Sequence, residues 1–165
     1  MGTVFLLADN NTYAVYGERV FKLLQSQGFK IKAHVFHSDH ALLPNEKAVG
    51  RILLEVEKDT SLIIAVGTGT INDLARFVSC RLKIPYVIAA TAPSMDGFAA
   101  TLSMLIIENR KTTHQGWYAH AIIGDIDVLS KAPMTMIHSG FGDIIGKLTA
   151  LADWELSHEV PGEYY

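Results

Sequence analysis

The chain has 165 residues, a formal net charge of −3 at pH 7 and 49% hydrophobic residues, which suits one compact domain with a real core. Its basic residues are scattered, which argues against nucleic acid as a partner, and no apolar run approaches the roughly 20 residues that span a bilayer. The single cysteine, Cys80, excludes an internal disulfide, and without a signal-peptide pattern the expected setting is cytoplasmic.

In chain order, Val4-Phe5-Leu6-Leu7-Ala8 reads as a short buried strand ended by Asp9. A helix is expected from about Thr12 to Gln27, with Val15, Val20, Phe21 and Leu24 turned inward and Gly28 as its stop. A second strand runs over Lys30 to Phe36. Pro44 then precedes a helix carrying Val49, Ile52, Leu53 and Val56. Leu62 to Val66 is a third strand, followed by Gly67-Thr68-Gly69-Thr70-Ile71-Asn72-Asp73 and a helix with Ile71, Leu74, Ala75 and Val78 on one face. Ile84 to Ala89 reads as strand four. This alternation predicts an α/β fold, a parallel sheet with flanking helices on both faces.

The rhythm changes after Thr91. Thr101 to Glu108 and Lys111 to His114 predict a β-hairpin turning over Glu108 to Arg110, and Ala119 to Gly124 predicts one more strand. Pro133 opens a helical stretch expected to break near Gly140 and to resume through Ile144, Leu148, Leu151, Ala152 and Leu156. The exposed apolar side of that stretch predicts self-association, hence a homo-oligomer. Pro161 to Tyr165 reads as a turn that ends abruptly, as in a longer chain cut short.

The glycine segment is the most informative feature. A glycine turn between a strand end and a helix start aims backbone N–H groups and the helix dipole at one point, where a phosphate binds. It lacks the full dinucleotide fingerprint, because Asn72 stands at the third glycine and no acid follows about 20 residues later. The better ribose-reading acid is Asp9, upstream. The local alternative is a tight turn with Thr70 as N-cap and Asp73 in the first turn.

Three segments together resemble the sn-glycerol-1-phosphate dehydrogenases, especially their bacterial branch, within the group of iron-containing alcohol dehydrogenases, glycerol dehydrogenase and dehydroquinate synthase. They are the glycine segment, Thr91-Ala92-Pro93-Ser94-Met95-Asp96-Gly97-Phe98, and Ser139-Gly140-Phe141-Gly142-Asp143 with Ile144-Ile145-Gly146-Lys147. The resemblance implies a Rossmann-like NAD-binding domain over residues 1–130 and the start of a helical metal and substrate domain over 131–165. It assigns the dinucleotide to Gly67, to the backbone of Gly69, Thr70, Ile71, Asn72 and Asp73, and to Thr91, Ala92, Pro93 and Ser94. Asp9 would face the adenosine ribose and favour NAD(H) over NADP(H). Asp96 matches a substrate-side aspartate and Asp143 a metal-binding, substrate-side one, so both are the implied catalytic residues. Ala100 stands where the family commonly has a serine near the cofactor.

The implied reaction is reduction of dihydroxyacetone phosphate, a small phosphorylated substrate, to sn-glycerol 1-phosphate, with Zn²⁺ as the metal and Ni²⁺ as the alternative. A divalent ion would stabilise the alkoxide formed as hydride reaches the ketone. The family's two metal-binding histidines lie well downstream of Asp143. His158 cannot replace either, since fifteen residues of helix separate it from Asp143 by roughly 22 Å, and His138 precedes Asp143. The chain alone is therefore expected to be inactive. His34, His37 and His40 read as a solvated strand end and loop rather than a ligand set. Glycerol dehydrogenase is the neighbouring enzyme reading, and a non-catalytic nucleotide-binding module is the reading from another class.

Overall fold

A computed structural model describes residues 2–160; the turn expected over Pro161 to Tyr165 lies outside the described residues. Strand β1 (Thr3–Asp9) lies between β2 (Ile31–Phe36) and β3 (Thr60–Gly67), the middle strand of the sheet. Strands β4 (Tyr86–Ala90) and β7 (Ala121–Gly124) extend the sheet, all parallel, in the order β2-β1-β3-β4-β7. Strands β5 (Leu102–Ile107) and β6 (Arg110–Gln115) form the separate antiparallel hairpin. Glu108 and Asn109 turn it with φ of 50° and 61°, the paired left-handed conformation of a two-residue hairpin turn.

The near-continuous apolar runs of β1 and β3 follow from burial on both faces. Successive side chains point to opposite sides, so Phe5 and Leu7 join one core while Val4, Leu6 and Ala8 join the other. The first core is roofed by α3 (Glu46–Glu55), through Ala48 and Ile52, and by α4 (Gly69–Leu82), through Ile71, Leu74, Ala75 and Val78. The second is covered by Val20, Phe21 and Leu24 of α2 (Glu18–Ser26).

Three sequence expectations need correction. The first helical segment starts earlier, at Asn10, and is not uniform: α1 (Asn10–Thr12) passes through a π-helical turn, Tyr13–Gly17, before α2. That wider turn shifts the helical phase, so Val15 is 62% exposed instead of inward. Leu53 likewise faces out, and Ala48 takes the inward place one turn before Ile52. Finally, no break occurs at Gly140. After the short α5 (Ile126–Leu129), helix α6 runs unbroken over Met134–Glu159. Gly140 is needed there for approach: a Cβ at this position would sit 2.0 Å from the Pro93 carbonyl oxygen. Beyond it, Phe141, Ile144, Leu148, Leu151 and Trp154 are exposed. No helix among the described residues is long and apolar enough to cross a membrane.

Candidate functional site

The chain reverses its direction of travel across the sheet between β1 and β3, and a parallel sheet opens a crevice beyond its strand ends at such a point. A cavity of about 510 Å³ lies there, lined by Asp9 at the end of β1, Phe36 at the end of β2, Thr68 after β3 and Thr91 after β4, with Thr70 and Ile71 from α4. Four adjacent strand ends thus meet in one cleft. The two loops of its floor are tied together, since the Thr91 N–H donates to the Gly67 carbonyl at 3.1 Å.

Helix α4 points its N-terminus at this cavity. Thr68 is the cap, with no side-chain capping bond, so Thr70 is not the N-cap that the local alternative required. The first helical bond runs from the Asn72 N–H to the Thr68 carbonyl, at 2.9 Å. The N–H groups of Gly69, Thr70 and Ile71 therefore have no carbonyl within the helix to bond. These unbonded N–H groups stop short of Asn72, whose backbone N–H is committed to Thr68 and whose side chain is wholly buried. Asp73 faces a second cavity, of about 540 Å³, shared with Gly69, Thr70, Met104 and Lys111.

Asp9 ends β1 and caps α1. Its Oδ1 accepts the Thr12 N–H at 2.8 Å, and its own N–H donates to Thr12 Oγ1 at 3.0 Å. This reciprocal box holds the carboxylate in the wall of the first cavity. Ala92 is buried, Ser94 half-buried, and Pro93 lies under α6 at Gly140.

The fold also brings Asp96 and Asp143 together from 47 residues apart in sequence. The Asp96 N–H donates to Asp143 Oδ2 at 3.0 Å, and Lys147, one helical turn after Asp143, pairs with Asp96 Oδ2. The Lys147 ammonium foremost, and then the Asp143 contact, hold the Asp96 carboxyl below the usual carboxylate range. Among the described residues no group of three or more His, Cys, Asp or Glu side chains converges as a metal centre. His34 instead packs its ring edge-on against Phe36, with centroids 4.6 Å apart.

Asp73 behaves differently. Burial pushes its carboxyl up to about 6, against the opposing pull of the Arg76 guanidinium 3.1 Å away. The raised value means the folded chain binds this proton more tightly than the unfolded one. Its contribution to stability is complete below about pH 4 and is lost as pH rises through about 6. A carbon-13 titration of the side-chain carboxyls is expected to give Asp73 a midpoint near 6; a midpoint near 4 would remove burial as the governing influence.

Arg76 is the residue that motif reading passes over. It is 1% exposed, on the buried side of α4. Its sequence signal is a polar stripe, Asn72, Arg76 and Ser79, at helical spacing beside the apolar one. All three are buried: Tyr86 Oη donates to Asn72 Oδ1 at 3.3 Å, and Trp117 Nε1 donates to Ser79 Oγ.

The chain matches the protein family described as iron-containing alcohol dehydrogenase over residues 1–133. Among curated relatives, the glycerol-1-phosphate dehydrogenase [NAD(P)+] of Geobacillus thermodenitrificans is 38% identical over 164 residues, covering 98% of this chain and 41% of the relative. The protein of the same name from Bacillus subtilis is 35% identical, covering 98% of this chain and 42% of its own length. That of Methanosarcina barkeri is 34% identical, covering 99% and 45%. The chain thus spans about two-fifths of the length of these relatives. The crystal structure of glycerol dehydrogenase from Schizosaccharomyces pombe superposes with a TM-score of 0.72 at 23% identity, covering 87% of this chain and 36% of that one. An iron-containing alcohol dehydrogenase from Thermotoga maritima gives 0.75 at 13% identity, covering 87% and 45%. These two likenesses establish the fold.

Proposed function

The chain belongs to the iron-containing alcohol dehydrogenase family, and from that premise we propose that it is the nicotinamide-binding portion of an enzyme reducing dihydroxyacetone phosphate to sn-glycerol 1-phosphate. The observation that carries this reading is the α4 N-terminus, which opens onto a cavity where four strand ends converge. An anionic pyrophosphate suits the N–H groups of Gly69, Thr70 and Ile71 and the positive end of the helix dipole. Asp9, in the cavity wall, takes the adenosine ribose, Thr91 lines the same cavity, and Ala92 to Ser94, which follow it toward Asp96 in the chain, are proposed to contact the dinucleotide as well. The substrate class rests on the relatives named glycerol-1-phosphate dehydrogenase.

In this reading residues 1–130 are the cofactor domain, and α6 opens a second, helical domain whose contacts would cover its exposed apolar side. Asp96 and Asp143 lie on the substrate side, and the ion pair with Lys147 orients Asp96 and lowers its carboxyl pKa. The described residues do not by themselves make a metal centre. Asp143 offers one carboxylate, already accepting the Asp96 N–H, whereas zinc takes four ligands. Asp143 is assigned one ligand place for Zn²⁺, or Ni²⁺, and no step is derived through the ion. The chain on its own is proposed to bind the dinucleotide without turning over substrate, and to act as part of a cytoplasmic homo-oligomer.

Calorimetric titration with NADH tests the reading. Micromolar binding, unchanged by Zn²⁺, is the expected result, and no binding at all would overturn the cofactor assignment. Asp9→Gly is expected to shift the NADH-to-NADPH affinity ratio toward NADPH by about tenfold, equivalent to about 1.4 kcal/mol. An unchanged ratio would take the ribose contact away from Asp9.

A further inference from the structure

Arg76 uses every N–H it has. Its Nε donates to Tyr86 Oη at 3.1 Å, and its Nη1 to Asp73 Oδ1 at 3.1 Å and to the Leu102 carbonyl at 2.8 Å. Its Nη2 donates to the carbonyls of Gly97, at 2.7 Å, and Phe98, at 3.0 Å. A guanidinium has five N–H groups in a rigid planar fork, and all five are engaged here. Three of the five acceptors are backbone carbonyls of one segment, the 3₁₀ turn Gly97–Ala99 and the start of the hairpin. That segment directly follows Asp96.

The surroundings are shaped to admit this side chain. A Cβ on Gly116 would lie 2.6 Å from Arg76 Cγ, and the Gly116 N–H closes the hairpin base onto the Thr101 carbonyl at 2.8 Å. The 3₁₀ turn has no side-chain cap of its own. Arg76 therefore supplies a large share of the turn's hydrogen bonds from outside, from a helix whose first turn forms the phosphate cradle. Seven residues of α4, roughly 10 Å, separate that cradle from the fork.

We infer that Arg76 is the positioning residue for Asp96: its guanidinium clamps the Gly97–Phe98 turn onto α4 and so fixes the substrate-side carboxylate relative to the cofactor cradle. This rests on the reading of Asp96 given above. Arg76 touches neither cofactor nor substrate in this assignment and acts through the backbone. Lysine cannot do the same work, because one ammonium cannot address acceptors on opposite sides of a planar fork.

The test compares Arg76→Lys with Ile52→Val, a core change in α3 that leaves the fork untouched, using amide hydrogen exchange, thermal melting and NADH titration on the 165-residue chain. In Arg76→Lys the amides of Gly97 to Ala100 are expected to exchange at least about tenfold faster than in wild type, beyond any rise seen in β1 and β3, with NADH affinity changed less than about threefold. Ile52→Val is expected to leave the ratio of loop to strand exchange where it was. If Arg76→Lys raises loop and strand exchange equally, as a general loss of stability does, the positioning role is overturned. If Arg76→Lys does not fold, Gly116→Ala takes its place: its Cβ would press on Arg76 Cγ at 2.6 Å and on the Thr101 carbonyl at 3.1 Å. Faster exchange at Gly97 to Ala100 that exceeds the change at Gly116 itself then upholds the role, and a loop that speeds up no more than Gly116 overturns it. Absence of NADH binding in the wild-type chain would count against the cofactor reading alone, because the exchange comparison needs no ligand.

Discussion

Gly69→Asp is expected to weaken NADH binding by at least about 100-fold, close to 2.7 kcal/mol, while the melting temperature stays near that of the wild type. Position 69 has room for a side chain: its Cβ would meet Met95 Sδ at 3.5 Å, an ordinary van der Waals contact. It is also the first residue of α4, where a carboxylate interacts favourably with the helix dipole. The fold therefore tolerates aspartate, or gains slightly from it. The dinucleotide does not, because a fixed negative charge would occupy the place proposed for its pyrophosphate. Titration calorimetry and a thermal melt on the same sample separate the two effects. Binding that survives would move the phosphate away from this helix end, and a collapsed melting temperature would mean that the glycine serves the fold.

The second large effect is expected at the junction of α6 with the Thr91–Ser94 loop. Gly140→Ala would drive a methyl group to 2.0 Å from the Pro93 carbonyl oxygen. The Cβ is fixed by the helix backbone and the oxygen it meets is main-chain, so no rotamer relieves the clash, and the helix or the loop must move by more than an ångström. Overpacking of this kind costs about 1–3 kcal/mol. The displacement would also separate Asp143 and Lys147 from Asp96, undoing the 3.0 Å hydrogen bond and the ion pair. The measurement is a thermal melt together with amide exchange at Asp96, which should lose protection. Gly142→Ala is the control: nothing lies within 4 Å of its Cβ position, so the same change two residues on should be neutral or stabilising by up to about 1 kcal/mol. Equal losses from both substitutions would rule out the close approach as the cause.

The parallel sheet was readable because burial on both faces leaves a local trace. β1 and β3 are unbroken apolar runs, and Ile71, Leu74, Ala75 and Val78 mark the buried face of α4 by spacing alone. The hairpin was readable too, although its turn rests on Glu108 and Asn109 and Arg110 already belongs to β6. Val15 was misplaced because a π-helical turn changes the residues per turn without changing the apolar pattern that precedes it. Gly140 carried the opposite lesson. Glycine in a helix reads as a weak point, yet α6 continues through it, because the missing side chain lets the helix reach the Pro93 carbonyl.

For the candidate site, the amino-acid sequence by itself determined the glycine turn between a strand and a helix and the alternation of strands and helices along the chain, and the family resemblance singled out Asp9, Asp96 and Asp143 as the residues to propose. These are local matters: a turn, a strand end or a motif is encoded by neighbours in the chain. Only the tertiary structure decided that the ends of β1 to β4 open onto one cavity, that Asp96 and Asp143 meet across 47 residues, and that Arg76 holds the turn beside Asp96. Those facts depend on hydrogen bonds and close contacts between segments far apart in sequence. The acceptors that justify a buried guanidinium are backbone carbonyls, which every residue has, so no residue type announces them.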